Sequence, residues 1–348
     1  MERLGAALDA LLVEIAEHPT AARFALVEAP AAGEVAREAV ERAHNAFERA
    51  VLAELGQAAD GAPLPSPVAR GIVCGLASVL QARLLEPRAP KISDLSSGLV
   101  EWMLSYRSPH ARSLGNVSAA MPSLVQAQLR PAPAQRRAMQ GDERTRMLRA
   151  AARIAAAGGL RSLTSGQIVQ AAHAGVDAFS REFDSVEQCF LAAFELACAE
   201  ALARALRESE RAADWASATC RVLASLLGRL ARDPVLARTA FVEILAAGRP
   251  GIERRASLMS GVAALLSRRT PHSSRPSPLV AEAIVGAVWG LAGRQARRGH
   301  LRELPLLAPH AAYLTLAPIF GAEEAAEAIR SELGEPSAGL RAAQARAA

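Results

Sequence analysis

Aromatic residues are scarce in this chain: they make up 4% of its 348 residues. β-Branched and aromatic side chains are the ones that favour strands, whereas the Ala and Leu that dominate here enter a helix with little loss of side-chain entropy. The composition therefore argues against a sheet and predicts an all-α protein. With 51% apolar residues, the chain is long enough for two or three helical domains with real cores.

Lysine is almost absent. Lys91 is the only one, so arginine supplies 39 of the 40 basic residues, and the formal net charge is +5. Such a bias is typical of a GC-rich genome. The mild positive balance permits a nucleic acid as a partner but does not require one.

The motifs of common catalytic and metal sites are missing as well. The sequence contains no G-x-x-x-x-G-K-S/T loop, no H-E-x-x-H and no G-x-S-x-G. Its cysteines form no C-x-x-C pair and have no histidine at metal-ligand spacing, so we expect buried free thiols in a reducing cytosol. They are Cys74, Cys189, Cys198 and Cys220. We therefore expect no enzyme, no cofactor and no metal site.

A long uninterrupted apolar segment is also lacking. The strongest candidate, 304–322, contains Pro305, Pro309 and Pro318, which would break a membrane-spanning helix. The N-terminal M-E-R leads into an amphipathic helix rather than a signal peptide. These features predict a soluble, cytoplasmic protein without a membrane partner. Trp102, Trp215 and Trp289 are interpreted as core or interface residues, with the lining of a ligand pocket as the alternative.

One segment occurs twice. Residues 11–33 read LLVEIAEHPTAARFALVEAPAAG and residues 226–248 read LLGRLARDPVLARTAFVEILAAG, with 12 of 23 ungapped positions identical. Farther along, P-S-P opens a helix at 65–67 and again at 276–278. Two Ala-rich helices can look alike by chance, but Pro, Glu and Gly coincide here too. The pattern therefore favours one helical domain present in two copies.

The copies predict a layout in five parts. A helical domain spans 1–108, a Ser-, Pro- and Ala-rich linker 109–140, a distinct module 141–194, the second helical domain 195–333, and a small polar tail 334–348. In the repeat alignment, residue 1 corresponds to about residue 216. The first copy thus begins after the point where a module of its own would end. We expect that a second module was lost or that the start codon was assigned too late.

The module between the copies shows three short helices that lead into a long one. The first carries an apolar stripe at i, i+4, i+7 and i+8 and ends at Gly158-Gly159. Thr164 with Gln167 forms a capping box that starts the second helix, and Ser185 with Gln188 forms another that starts the long helix. The stripe consists of Met147, Ala151, Ile154 and Ala155.

The third short helix carries Phe179 and Phe183 four residues apart on one face. Asp177, Ala178, Ser180 and Arg181 are then expected on the opposite face. Two short helices joined by a tight turn form a helix-turn-helix, whose second helix can enter the major groove of DNA. A three-helix packing unit without a DNA role is the alternative.

The residues of the module resemble the tetracycline-repressor (TetR) family of transcription regulators over about 50 ungapped positions. The shared order is G-x-x-x-L-T-x-x-x-I, then F-x-x-x-F, then C-F-L-A-A-F. These letters are Gly159, Leu163, Thr164, Ile168, Phe179, Phe183 and residues 189–194. More weakly, both flanking copies are similar to that family's helical regulatory domain. The resemblance implies a helix-turn-helix joined to helical-bundle regulatory domains.

The chain departs from the family pattern at three positions. His173 stands where the family has the glycine of the turn, a position that suits positive φ. A register shifted by two residues would use Gly175 for the turn and Asp177 as the N-cap, but the ungapped register fits both flanks better. Ser180 replaces a recognition-helix tyrosine and Val186 replaces a lysine, so two phosphate anchors of the family are weakened.

The resemblance implies DNA contacts from the helix-turn-helix at 163–182, with the effector site unknown. The candidates are Thr164, Ser165, Gln167, His173, Val176, Asp177, Ala178, Ser180 and Arg181. A basic arm ahead of it contributes Arg136, Arg137, Arg144 and Arg146. Such an arm can reach phosphates or the minor groove, and a solvated linker with charged helix faces is the alternative.

The resemblance also implies a function: a sequence-specific, ligand-responsive repressor of transcription that binds double-stranded DNA and a small apolar effector. The alternative is a helical sensor or dimerisation partner with a degenerate helix-turn-helix that no longer binds DNA. Family members pair through their last regulatory helices. In this chain the two copies can pair within one molecule or, alternatively, between two molecules in a homodimer.

Overall fold

The computed structural model describes residues 2–55, 64–86, 92–107, 114, 117 and 141–334. These residues are helical and contain no strand, which confirms the all-α prediction. The first half contains α1 (Glu2–Glu17), α2 (Pro19–Arg23), α3 (Glu34–Leu55), α4 (Ser66–Leu85) and α5 (Ser96–Leu104). The middle contains α6 (Glu143–Gly158), α7 (Ser165–Ala172), α8 (Ala178–Glu182) and α9 (Val186–Leu206). The last part contains α10 (Trp215–Arg232), α11 (Pro234–Arg238), α12 (Ile244–Ala246), α13 (Gly248–Arg269), α14 (Pro278–Arg297), α15 (Ala308–Phe320) and α16 (Ala322–Ile329).

The two similar sequence segments have the same order of elements. Each has a helix, a short helix that begins at a proline, and then a π-helical turn, at Phe24–Glu28 in one and Thr239–Glu243 in the other. In each a glycine with positive φ (Gly33 at 109°, Gly248 at 63°) stands at the start of a 22-residue helix. A π-turn is rare, so its presence at both aligned positions is a structural likeness independent of residue identity.

Helices α4 and α14 begin at the two P-S-P segments, one in each of the predicted copies (1–108, the first copy, and 195–333, the second copy). They pack against each other in the most extensive helix pair of the described chain. They run antiparallel, since Gly290 lies beside Cys74 and Gly286 beside Ser78. A Cβ added at Gly286 would lie 2.4 Å from Ser78 Cβ and 3.4 Å from Gly75 Cα. The two backbones can therefore approach this closely only because the contact positions carry glycine.

A charged network joins the two copies beside this contact. Arg70 of α4 is 4% exposed and pairs with Glu48 and Asn45 of α3. Arg294 of α14 reaches the same helix, with Nη1 2.9 Å from Glu41 Oε1. Glu41, Asn45 and Glu48 are spaced i, i+4 and i+7, so they share one face of α3. A buried arginine is tolerated here because carboxylates and an amide surround it.

Two tyrosines close the other side of the contact. Tyr106 donates its hydroxyl to the carbonyl of Leu314 at 2.8 Å, and Tyr313 donates to the carbonyl of Tyr106 at 3.3 Å. Burial raises the pKa of both phenols. Trp102 packs edge-on against Tyr106, so this tryptophan is a core residue.

One described helix, α4, is long and apolar enough to cross a membrane, and 61% of its most apolar window is buried inside the protein. Burial of that kind is also what a core helix shows. The proline-containing candidate at 304–322 forms instead a 3-10 segment, Leu301–Leu307, followed by α15.

The predicted domain boundaries stay predictions. Most of the linker at 109–140 lies outside the described residues, although Leu114 and Val117 are described and buried. Residues 335–348 of the predicted tail lie outside them as well.

Candidate nucleic-acid interface and ligand cavity

The module begins with α6, capped by Asp142. The Asp142 carboxylate accepts the backbone N–H of Thr145 at 2.8 Å, and hydrogen bonding by Thr145 lowers the pKa of this acid. Of the predicted stripe, Met147, Ala151 and Ala155 are fully buried and Ile154 is half-buried. Gly159, at φ 85°, ends the helix.

Helix α7 starts with the predicted capping box. The Thr164 hydroxyl accepts the N–H of Gln167 at 3.3 Å, and the Gln167 side chain accepts the N–H of Thr164 at 3.0 Å. This exchange satisfies two helix-terminal donors at once. Ile168 and Ala172 then point into the core.

The turn after α7 combines one feature of each predicted register. His173 has φ 48°, the only positive φ at a non-glycine residue in the described chain, and Gly175 is not in that region. The backbone N–H of Ala174 returns to the carbonyl of Val169 at 3.1 Å. Asp177 stands at the N-cap position of α8, as the shifted register expects, but its side chain accepts no capping hydrogen bond.

Eight of the nine residues chosen as helix-turn-helix DNA contacts are exposed, from the start of α7 to α8. Those exposed are Thr164, Ser165, Gln167, His173, Val176, Asp177, Ser180 and Arg181. Val176 is 90% exposed, the highest value for a large apolar side chain in the described residues, followed by Val35 at 80%.

Ala178 is the exception, and its assignment to the exposed face is wrong. Its side chain is 0% exposed because α8 is only five residues long and turns Ala178 and Phe179 together toward the core. Phe183 lies just beyond the helix in extended backbone, yet its ring still packs 5.5 Å from that of Phe179.

The arginines ahead of the turn hold the module together. Arg144 lies 4.7 Å over the ring of Phe183 and pairs with Glu182 at 3.2 Å. Arg146 donates to the carbonyls of Ala172 and Gly141, at 3.0 and 3.2 Å. Both belong to α6 rather than to a free arm. Of the rest of the predicted arm, Arg136 and Arg137 lie outside the described residues.

Glu143 of α6 contacts both the turn after α7 and helix α8. One carboxylate oxygen accepts the N–H of Gly175 at 2.7 Å, and the other lies 3.5 Å from Arg181. Arg181 remains largely exposed, so this pair leaves donors free for another partner.

The second predicted capping box, at the start of α9, is only half formed. The Ser185 hydroxyl accepts the N–H of Gln188 at 3.0 Å, as predicted. The Gln188 side chain instead accepts the N–H of Asp184 at 2.6 Å. The glutamine side chain therefore bonds to the residue before the N-cap instead of to the N-cap itself. The sequence spacing is the same in both cases and cannot distinguish them.

The module rests on the second copy through Glu243, which is 3% exposed. Its Oε2 accepts the backbone N–H of Leu160, in the turn after α6, at 3.0 Å, and its Oε1 pairs with Arg238 at 2.8 Å. The aligned Glu28 of the first copy lies on the surface, where its Oε1 is 3.7 Å from Arg23 Nε.

The second copy contacts the module through a surface that includes Thr239. The corresponding surface of the first copy is exposed. Thr239 of the second copy is fully buried, whereas Phe24, at the aligned position of the first copy, is 58% exposed. No described element covers Phe24 in the way that α6 packs against α11 and the π-turn of the second copy.

A cavity of about 560 Å³ lies inside the second copy, among α9, α10, α13 and α14. Its size is within the range of small-molecule sites. The lining is almost wholly apolar and includes Leu202, Leu223, Met259, Val288 and Trp289. The apolar stripes in the sequence predict which helix faces are buried. They do not predict where the packed helices leave a cavity between them.

The closed part of the cavity meets the π-turn. Ala240 and Phe241 of that turn line it, and the Phe241 ring lies 4.8 Å from that of Trp289. Trp215 lines it too and packs against Phe320 at 5.5 Å. Two of the three tryptophans thus line a cavity, which agrees with the alternative interpretation of these residues rather than with a core or interface role alone.

The exposed lining residues indicate where the cavity opens to solvent. Among the lining residues, only Ala213, Asp214 and Arg269 are exposed. Ala213 and Asp214 precede α10, and Arg269 is the last residue of α13. The cavity therefore opens where the end of α13 meets the start of α10.

The four cysteines are free thiols, and burial raises their pKa, to about 11 for Cys74 and about 12 for the others. Thiols with such values are poor nucleophiles at neutral pH. In the described residues, Glu14, Glu17 and His18 are the one group close enough to share a metal ion, and all three are exposed along α1. Exposed acidic groups of this kind are common without a metal.

Comparison of the sequence with models of known families and with curated proteins finds no match.

Proposed function

We propose that the chain is a DNA-binding transcription regulator of the TetR type, a ligand-responsive repressor acting in the cytoplasm. The observation that carries the proposal is the exposed surface of α7, the turn and α8, braced by the capping box of Thr164 and by Glu143. It presents polar side chains and the exposed Val176 together, and a major groove offers both hydrogen-bonding edges and thymine methyl groups.

A route from the cavity to the module supports ligand control. The π-turn at Thr239–Glu243 lines the cavity with Phe241 and holds the module with Glu243. A small apolar effector that displaces Phe241 would therefore move the acceptor of the Leu160 N–H. The effector would then change the affinity for DNA in proportion to its preference for one of the two arrangements.

Pairing within the chain is the third part of the proposal. The α4–α14 contact joins equivalent helices of the two copies, as an interface between two chains does in the family. We infer that one molecule acts as an intrachain pair with a single module and engages one half-site. Further assembly on DNA would then add specificity, since palindromic operators need two modules about one helical turn apart. The alternative is a homodimer that pairs the second copies between chains.

A helical sensor or dimerisation partner without DNA binding is the second candidate. The observation that favours it is that Arg144 and Arg146 contact groups within the module. In addition, Ser180 and Val186 occupy the two positions where the family has phosphate anchors. These leave Arg181 as the main exposed cation of the recognition surface.

Selection of bound fragments from genomic DNA, followed by gel shifts over a range of salt, separates the two candidates. For the regulator we expect binding that weakens steeply as salt rises, because phosphate contacts release counterions. Arg181→Ala should weaken binding to the selected site by about 1–3 kcal/mol if Arg181 reads a base, whereas Arg207→Ala, an exposed arginine after α9, should not. Failure to bind any fragment at low salt would favour the second candidate.

A further inference from the structure

The polar groups that line the cavity are almost all satisfied by the protein itself. The hydroxyls of Ser209, Thr219 and Thr315 each donate to a backbone carbonyl three or four residues earlier. The raised pKa of Cys198 keeps its thiol neutral. The three hydroxyl donors are therefore already used and are not free to donate to a polar ligand.

Two charged residues line the cavity, and both lie at its mouth. The carboxylate of Asp214 is occupied by capping of α10: one oxygen accepts the Ser217 N–H at 2.8 Å and the other accepts the Ser217 hydroxyl at 3.0 Å. Arg269, in contrast, has neither an ion pair nor a hydrogen bond in the part of the chain that the structure describes. The mouth therefore offers an unpaired guanidinium beside a carboxylate that already accepts one hydrogen bond on each oxygen.

We propose that the effector is an amphipathic acid: an apolar tail fills the cavity toward Phe241 and Trp289, and a carboxylate or similar acidic head pairs with Arg269 at the mouth. The inference rests on the proposed function only in taking the cavity as the effector site. A planar guanidinium can hold a carboxylate through two parallel hydrogen bonds. An apolar lining whose mouth carries an unpaired guanidinium, while the neighbouring carboxylate is held by Ser217, then favours acids over alcohols and amines of the same length.

The test is a direct binding measurement that does not involve DNA. Dodecanoate, dodecanol and dodecylamine are titrated into the full-length protein below their aggregation concentrations, with tryptophan fluorescence and calorimetry as readouts, since Trp215 and Trp289 line the cavity. We expect dodecanoate to bind about tenfold more tightly than dodecanol, corresponding to a single charge-assisted contact. Its advantage should shrink as salt rises.

Arg269→Gln should remove the preference for the acid and leave the affinity for dodecanol unchanged. Arg268→Gln is the matched control, because Arg268 is adjacent and exposed but does not line the cavity. Equal affinity for acid and alcohol, tightest binding of the amine, or equal effects of the two substitutions would each overturn the inference while leaving the cavity as a site. Binding of none of the three probes would overturn the cavity assignment in the proposed function as well.

Discussion

The carboxylate of Glu243, a residue that is 3% exposed, accepts the backbone N–H of Leu160 at 3.0 Å. One residue of the π-turn thereby connects the cavity-lining segment to the 3-10 turn between α6 and α7. The aligned Glu28 accepts no backbone N–H among the described residues, which provides an internal control.

Glu243→Ala should destabilise the protein by about 1–3 kcal/mol, because it leaves the Leu160 N–H without its acceptor. Urea denaturation measures the loss, and hydrogen exchange should show faster exchange at 160–163. Glu28→Ala removes the aligned but exposed carboxylate and should change stability by less than about 0.5 kcal/mol. Similar losses from the two variants would mean that the Leu160 contact has no special role.

Gly75→Ala should destabilise the contact between the copies by about 1–3 kcal/mol. A Cβ at Gly75 would lie 2.6 Å from the backbone carbonyl oxygen of Ala283, which can move only with its helix. Gly261→Ala is the control, because this glycine lies within α13 with nothing within 4 Å of an added Cβ. There alanine should be neutral or stabilise by up to about 1 kcal/mol. Equal stability of the two variants, measured by urea denaturation, would contradict a close α4–α14 approach.

His173→Gly should be neutral or stabilise the module by up to about 1 kcal/mol, because glycine adopts the left-handed conformation without strain from a Cβ. His173→Val should cost more than about 1 kcal/mol, since a β-branched residue is disfavoured there. Thermal unfolding of both variants checks the order. A stable valine variant would show that residue 173 does not need positive φ.

The free protein should have the mass of one chain, 36.5 kDa, in light scattering, because α14 is already paired with α4 inside the molecule. With operator DNA we expect a higher assembly, since one half-site offers little specificity. A tight dimer that persists after deletion of 1–108 would contradict pairing within the chain.

Local sequence determined the helices and their ends. Thr164 and Gln167 define a helix start because a cap acts over three residues, and Gly159 ends α6 because glycine accepts positive φ. The two similar segments, which carry the same Pro, Arg and Glu, also form the same π-turn in the structure. The all-α class follows from composition for the same reason: propensity is a property of single residues and their near neighbours.

Only the tertiary structure decided which of these surfaces meet. Ala178 is buried, although its position on a helical wheel opposes Phe183, because α8 is too short to present a separate polar face. Gly75 and Gly286 lie in small-residue stretches whose contact spans more than two hundred positions of the chain. The cavity and the unpaired Arg269 depend on how four helices fail to fill the space between them. Packing over such distances depends on the shape of every neighbour at once, and no local pattern records it.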